Sequence, residues 1–309
     1  MKRTPVGPED FRGVIAVPPL PRHDDPSRTP NFGEADRLVR HLNAAGITRF
    51  MFGGNAFFYH VTLHDYAAAL DWMTGLPDDW WVLPSAGPSY GRLMDQASLL
   101  RARRFPAVML LPCADPRDAA GLGRGIREFA EASATPVILY LKAEDTLGPD
   151  RQQGVELAGR LLEEGICVGI KYAVVREDPR VDPYLERLLS RVDRSRVASG
   201  IGERPAVVHL QRWGLPGYTT GSGCVAPTLT QRLYCLAMEG LWDKAEAVRE
   251  KFLVLEDLRD AWNPAKVLHH AVSLSGVAET GPLCPFLSAL DPEQLERVGM
   301  AARNLADES

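Results

Sequence analysis

Cysteine is scarce and unpatterned in this chain of 309 residues, which carries Cys113, Cys167, Cys224, Cys235 and Cys284. An odd number with no C-x-x-C pair supports neither a disulfide framework nor a zinc ribbon, and the expected compartment is a reducing cytoplasm. Long apolar runs are also missing. No stretch approaches the roughly 20 residues needed to cross a bilayer. The start, Met1-Lys2-Arg3, is followed only by the short run Gly13 to Val17, closed by Pro18-Pro19, too little for a signal peptide. Basic tracts are absent: 35 Lys and Arg against 40 Asp and Glu leave a net charge of −5. Binding nucleic acid requires clustered cations, so no nucleic-acid partner is expected, and the short group Arg101, Arg103, Arg104 reads as the solvated end of a helix. With 45% hydrophobic and 24% charged residues, disorder, collagen and coiled coil are excluded.

What the chain does have is a period. Short β-branched or aromatic runs closed by Gly or Pro alternate with longer segments of helical periodicity. The runs are Gly13 to Val17, Thr48 to Phe52, Trp80 to Leu83, Ala107 to Leu111, Pro136 to Tyr140, Ile166 to Lys171, Arg196 to Ser199 and Pro216 to Thr220. Their first residues lie 35, 32, 27, 29, 30, 30 and 20 positions apart, the spacing expected when a helix crosses back between successive parallel strands. Glu34 to Ala45 places Ala35, Leu38, Val39 and Leu42 on one face, and Gln152 to Leu162 repeats the pattern with Val155, Ala158, Leu161 and Leu162.

Eight such units predict an α/β fold, a (β/α)8 TIM barrel, in preference to a doubly wound sheet. The latter usually has fewer strands and would place a Gly-rich phosphate turn where this chain has Val17-Pro-Pro-Leu-Pro21. The gap before strand eight is the shortest and its unit the weakest. After strand eight, Pro227 to Gly240, Trp242 to Ala261, Pro264 to Ser275 and Pro292 to Ala306 all read as helical. No linker rich in Gly, Ser or Pro sets this tail apart. Residues 1–226 are therefore expected to supply the barrel strands and helices, closed by helix 227–240, with 241–309 as a C-terminal helical extension packed on the barrel.

Active-site groups of such barrels sit at the carboxyl ends of the strands. On strand six, alternation puts Cys167, Gly169 and Lys171 on one face, and small residues ending in Lys look inward. Burial disfavours an ammonium ion, so an interior lysine has a lowered pKa and becomes a nucleophile toward carbonyls. A strand-end lysine reaching solvent is the competing role. Tyr140, closing strand five, can relay protons to and from a carbinolamine or enamine, or simply line the barrel with its hydroxyl paired.

The pairing of Ile138-Leu-Tyr140 with Gly169-Ile-Lys171 on the next strand resembles the dihydrodipicolinate synthase and N-acetylneuraminate lyase family of class I, Schiff-base aldolases. Further likeness runs along the chain: Phe11-Arg-Gly-Val14, Ser199-Gly200 after strand seven, Gly214-x-x-Gly217 before strand eight, and Trp262-Asn-Pro-Ala-Lys266 in the tail. The resemblance implies a barrel with a helical C-terminal extension, commonly a tetramer. It implies Lys171 as the lysine that forms an imine with pyruvate or another 2-oxo acid, Tyr140 as the phenol that relays protons and positions substrate, and no cofactor or metal. The expected partners are a small 2-oxo acid or aldehyde and further copies of the chain, in a dimer or tetramer.

The departures bear on substrate. After strand two the family carries Gly-Thr-Thr-Gly-Glu, whose hydroxyls and amides hold the 2-oxo acid carboxylate. Here the stretch is Gly53-Gly54-Asn55-Ala56-Phe57, followed by Phe58, Tyr59 and His60. Its amides remain available and its glycines allow close approach, but Asn55 is left to make any side-chain contact. A tyrosine that the family places after strand four falls near Cys113-Ala114, where there is no phenol. The arginine that grips a second carboxylate in dihydrodipicolinate synthase is replaced by Asp145 or its neighbours, which disfavours the lysine-biosynthesis reaction. Lys142, two residues beyond Tyr140, either grips an anion, lowers the Lys171 pKa by repulsion, or is solvated beside Glu144 and Asp145. Phe57, Phe58 and Tyr59 either line an apolar pocket or pack the next helix. Ser199 and Gly200 are expected to shape the rim, and Thr219, Thr220 and Ser222 to meet substrate hydroxyls.

A metal-dependent barrel hydrolase would need His and carboxylate ligands at several strand ends. His23, Asp24 and His60 are too sparse for that, and His269-His270 are adjacent on a tail helix. A Ser-His-Asp hydrolase has no G-x-S-x-G elbow. The remaining alternative is a non-catalytic, metabolite-binding barrel that kept its lysine and lost its carboxylate loop.

Overall fold

Each β-branched or aromatic run forms a strand of a closed, all-parallel barrel in the computed structural model, which describes residues 1–309. The strands are β1 (Gly13–Ala16), β2 (Arg49–Phe52), β3 (Trp81–Ala86), β4 (Val108–Leu110), β5 (Val137–Leu141), β6 (Cys167–Tyr172), β7 (Val197–Ser199) and β8 (Gly217–Thr220). They follow sequence order, and β8 closes on β1 with Gly13 opposite Gly217 and Ile15 opposite Thr219. Strand β3 runs three residues past the expected end at Leu83, continuing through Pro84, whose fixed φ suits extended backbone at the loss of one ladder donor.

Around the barrel lie α1 (Phe32–Ala44), α2 (Leu63–Thr74), α3 (Tyr90–Arg103), α4 (Ala119–Ser133), α5 (Arg151–Glu163), α6 (Pro183–Arg191), α7 (Ala206–Gln211) and α8 (Pro227–Met238). Short polar residues start most of them: Asn31, Thr62, Asp118, Asp150 and Asp182 each accept from a backbone N–H of the first turn. The six-residue α7 accounts for the short gap before β8. Four more helices follow, α9 (Trp242–Glu250), α10 (Leu253–Trp262), α11 (Pro264–Leu274) and α12 (Pro292–Asp307). The stretch expected as one helix from Trp242 to Ala261 is thus two. Lys251 and Phe252 form a tighter turn, donating to Val248 and Arg249 carbonyls, and this turns Phe252 into the core. No helix is long and apolar enough to cross a membrane.

Hydrogen bonds to the outer helices fix which side chains face the barrel interior. Tyr172 donates to Asp182 at 2.5 Å, Ser199 meets His209 at 2.7 Å, and Tyr218 donates to the Thr230 carbonyl at 2.8 Å. These residues point outward, so their neighbours Lys171, Ala198, Gly217 and Thr219 point inward. At the floor, Phe11 packs edge-on against Trp81 at 5.5 Å, and a Cβ on Gly169 would overlap the Phe11 ring. The floor is closed by aromatic packing, and the carboxyl ends of the strands form the mouth.

Candidate active site

Lys171 and Tyr140 are directly opposite in the β5–β6 register, both turned inward near the mouth. The Lys171 Nζ lies 4.4 Å from the centroid of the Tyr140 ring, and the lysine as a whole is 6% exposed. Burial, followed by the nearby charges of Arg259 and Lys142, pulls its pKa down to about 7. Half of the amines are therefore neutral near pH 7. Burial pushes the half-buried Tyr140 phenol up to about 12, so it is a protonated donor throughout the neutral range. Gly200 makes room for the lysine. Its N–H donates to the Tyr172 carbonyl at 2.6 Å, and a Cβ there would stand 2.8 Å from Lys171 Cγ.

Beyond β2, residues Gly54–Ala56 make a single 3-10 turn. The N–H groups of Ala56 and Phe58 return to the Gly53 carbonyl at 3.1 and 3.2 Å, and that of Phe57 to Gly54 at 3.0 Å. Such a turn leaves its leading amides without an internal partner, here those of Gly54 and Asn55. Asn55 spends its Nδ2 on the Val17 carbonyl at 2.8 Å, tying the loop to the end of β1. Ala56 is buried in the core and does not reach the mouth. Gly53 has no space for a side chain, since a Cβ would come within 2.7 Å of Met109 Cε and of Ser85 Oγ, a buried hydroxyl without a hydrogen-bond partner.

The aromatic residues after this turn divide. Phe57 is left-handed at φ 58° and packs on His269 of α11 at 5.4 Å, with Leu283 and Cys284 beside it; Phe58 packs on Tyr66 of α2 at 5.5 Å. Both are packing residues. Tyr59 is half-buried, and burial together with the proximity of Tyr140 raises its phenol pKa, which places it in the Tyr140 neighbourhood.

On β8, Thr219 is buried on the interior side. Ser199, Thr220 and Ser222 do not join the mouth as expected: Ser199 is held by His209, Thr220 donates to Glu203, and Ser222 donates to Glu256. Lys142 is exposed just past β5 and reaches Lys171 through charge repulsion. Sequence reasoning missed a buried polar cluster behind β8. There Glu203 also accepts from Thr230 Oγ1 at 2.8 Å, and burial with the Glu256 charge pushes its carboxyl pKa up. Arg259 of α10 completes that cluster, donating through Nη1 to Glu256 at 2.6 Å and to Ser222 Oγ at 3.0 Å.

A closed parallel barrel with an interior lysine at the mouth, a tyrosine opposite it and a helical tail defines the structural class. No protein-family model matches the sequence, and no curated protein matches it. Solved structures do. A dihydrodipicolinate synthase from Oceanobacillus iheyensis matches with TM-score 0.81 and 22% identity, over 96% of this chain and 97% of that one. A 4-hydroxy-tetrahydrodipicolinate synthase from Methylacidiphilum fumariolicum matches with TM-score 0.81 and 16% identity, over 96% of each chain. PhdJ, solved bound to a substrate intermediate, matches with TM-score 0.80 and 18% identity, over 99% of this chain and 98% of its own. The chain therefore has the fold of the dihydrodipicolinate synthases along nearly its whole length, as the sequence resemblance implies.

Proposed function

We propose that the protein is a Schiff-base-forming lyase, an aldolase or dehydratase acting on a 2-oxo acid such as pyruvate or a sugar-derived keto acid, and a divergent member of the dihydrodipicolinate synthase and N-acetylneuraminate lyase family. The observation that carries this is the Lys171 amine, buried at the mouth with its pKa drawn down to about 7 and facing Tyr140. A neutral amine attacks the substrate C2 carbonyl to give a carbinolamine. The Tyr140 phenol protonates the carbinolamine hydroxyl, which leaves as water while the nitrogen lone pair forms the C=N bond of a protonated imine, leaving a phenolate. The protonated imine then accepts the electron pair of a C–C or C–H bond at C3 as it breaks, giving an enamine, and the proton released from C3 or from the cleaved fragment's hydroxyl returns to the Tyr140 phenolate. Cleavage and dehydration share this intermediate. Lys142, Gly200, Thr219 and the Gly54 and Asn55 amides of the Gly53 to Ala56 loop are the proposed substrate contacts, and the working protein is proposed to be a homo-oligomer. Asp145 or its neighbours at the place of the family arginine argue against true dihydrodipicolinate synthase activity.

Borohydride reduction tests the proposal. Pyruvate, longer 2-oxo acids and simple aldehydes are offered in turn, and peptide mass spectrometry should find a reduced adduct on Lys171 and none on a Lys171→Ala variant. No adduct with any carbonyl compound would reject the lyase mechanism and leave a metabolite-binding barrel.

A further inference from the structure

A 2-oxo acid bound at Lys171 brings a carboxylate beside a largely buried side chain, where an unpaired anion is disfavoured. The loop after β2 lacks the family's hydroxyls, and its Asn55 amide is committed to Val17. A cation that can answer this carboxylate arrives from α10. The Arg259 side chain is 9% exposed. A guanidinium has five N–H donors, of which Nε reaches the Pro264 carbonyl at 3.3 Å and Nη1 serves Glu256 and Ser222. The two donors of Nη2 have no partner in the protein, and Nη2 is not among the polar atoms sealed from solvent.

The position of Nη2 is set by a glycine. Gly221 follows Thr220, the last residue of β8, at the carboxyl end of the strand, where the chain leaves extended backbone. A Cβ on Gly221 would fall on Nη2 and lie 2.8 Å from Cζ. The guanidinium therefore fills the volume in which a side chain just past the mouth end of β8 would stand. Of the two buried acids beside it, Glu256 alone bonds to Arg259. Glu203 is held by Thr220 and Thr230, and its raised pKa favours the neutral acid. A guanidinium present only to balance Glu256 would need neither the glycine nor an Nη2 left unpaired and unsealed. The charge of Arg259 also acts on both Lys171 and Tyr140.

We propose that Arg259, carried by the C-terminal extension, is the carboxylate anchor of this site, offering the Nη2 edge of its guanidinium to the acid group of the substrate. The identification of that acid as a 2-oxo acid rests on the Schiff-base proposal; the anion site does not.

The test uses oxamate, a pyruvate isostere that forms no imine, titrated calorimetrically into the full chain at low ionic strength. Glu256→Gln is compared with the double variant Glu256→Gln/Arg259→Gln, which leaves no unpaired buried charge. The two differ only at position 259. Oxamate should bind wild type and Glu256→Gln, and bind the double variant at least about tenfold more weakly, the scale of a charged hydrogen-bonded contact. If the double variant fails to fold by circular dichroism, Arg259→Lys replaces it; this keeps the charge beside Glu256, removes the Nη2 edge, and should also weaken oxamate. Equal affinity with and without Arg259, or no binding to wild type and Glu256→Gln, would overturn the anchor. Failure of borohydride trapping with oxamate binding intact would reject the imine and leave the anchor standing.

Discussion

A lysine in a barrel interior, with Arg259 and Lys142 acting on it, is costly in its charged form. Its folded-state pKa of about 7 lies below the usual 10.5. Between those values the unfolded chain binds more protons than the folded one, so stability rises with pH across that window and is lost as pH falls toward 7. Below about 7 the charged amine is present in both states and the penalty is constant. Lys171→Met should therefore stabilise the fold, by roughly 1–4 kcal/mol at pH 6, and the gain should shrink as pH approaches 10. Urea unfolding of both proteins at pH 6 and pH 9.5 measures this; an equal or lower stability of the variant at pH 6 would mean that the amine is solvated.

At the scale of elements, the mouth depends on short connections, and the side chain that could reach from one of them is already spent. It is that of Asn55, which points back to Val17 and holds the loop against the end of β1. Asn55→Ala removes that bond and should cost about 1 kcal/mol of stability, measured by thermal unfolding, while Lys171 trapping by pyruvate changes by less than about threefold, the equivalent of a fraction of a kcal/mol. A large loss of trapping with unchanged stability would place the amide on substrate instead. The strands and helices themselves were legible, because alternation and the 3.6-residue period are local signals. Lys171 was found the same way, as the last inward position after Cys167 and Gly169. Ser199, Thr220 and Ser222 misled because a hydroxyl at a strand end has two sides to face, and the partners that decided it, His209, Glu203 and Glu256, come from other elements. Arg259 left no signal at all: on an amphipathic helix it looks like any charged residue three positions from a glutamate, and its role depends on Gly221, nearly forty residues earlier.

For the molecule as a whole, the same closure that makes a stable barrel buries the Lys171 amine. Phe11 and Trp81 seal the floor, the glycines at 53, 200 and 221 let Ser85 and Met109, Lys171 and Arg259 close in on the chain, and the C-terminal helices brace the β2 loop through Phe57 and His269 while bringing Arg259 to the end of β8. No single segment lowers the Lys171 pKa; desolvation by the assembled barrel does. The amine should consequently behave as an ordinary lysine once the barrel is gone. The most direct measurement is the rate of reductive trapping of pyruvate or acetaldehyde at Lys171, followed by peptide mass spectrometry from pH 5 to 10, in the folded chain and in urea. The folded protein should show a rise with a midpoint near 7 that disappears on unfolding. A midpoint near that of a free lysine in the folded state, or no adduct at any pH, would contradict a buried nucleophilic amine.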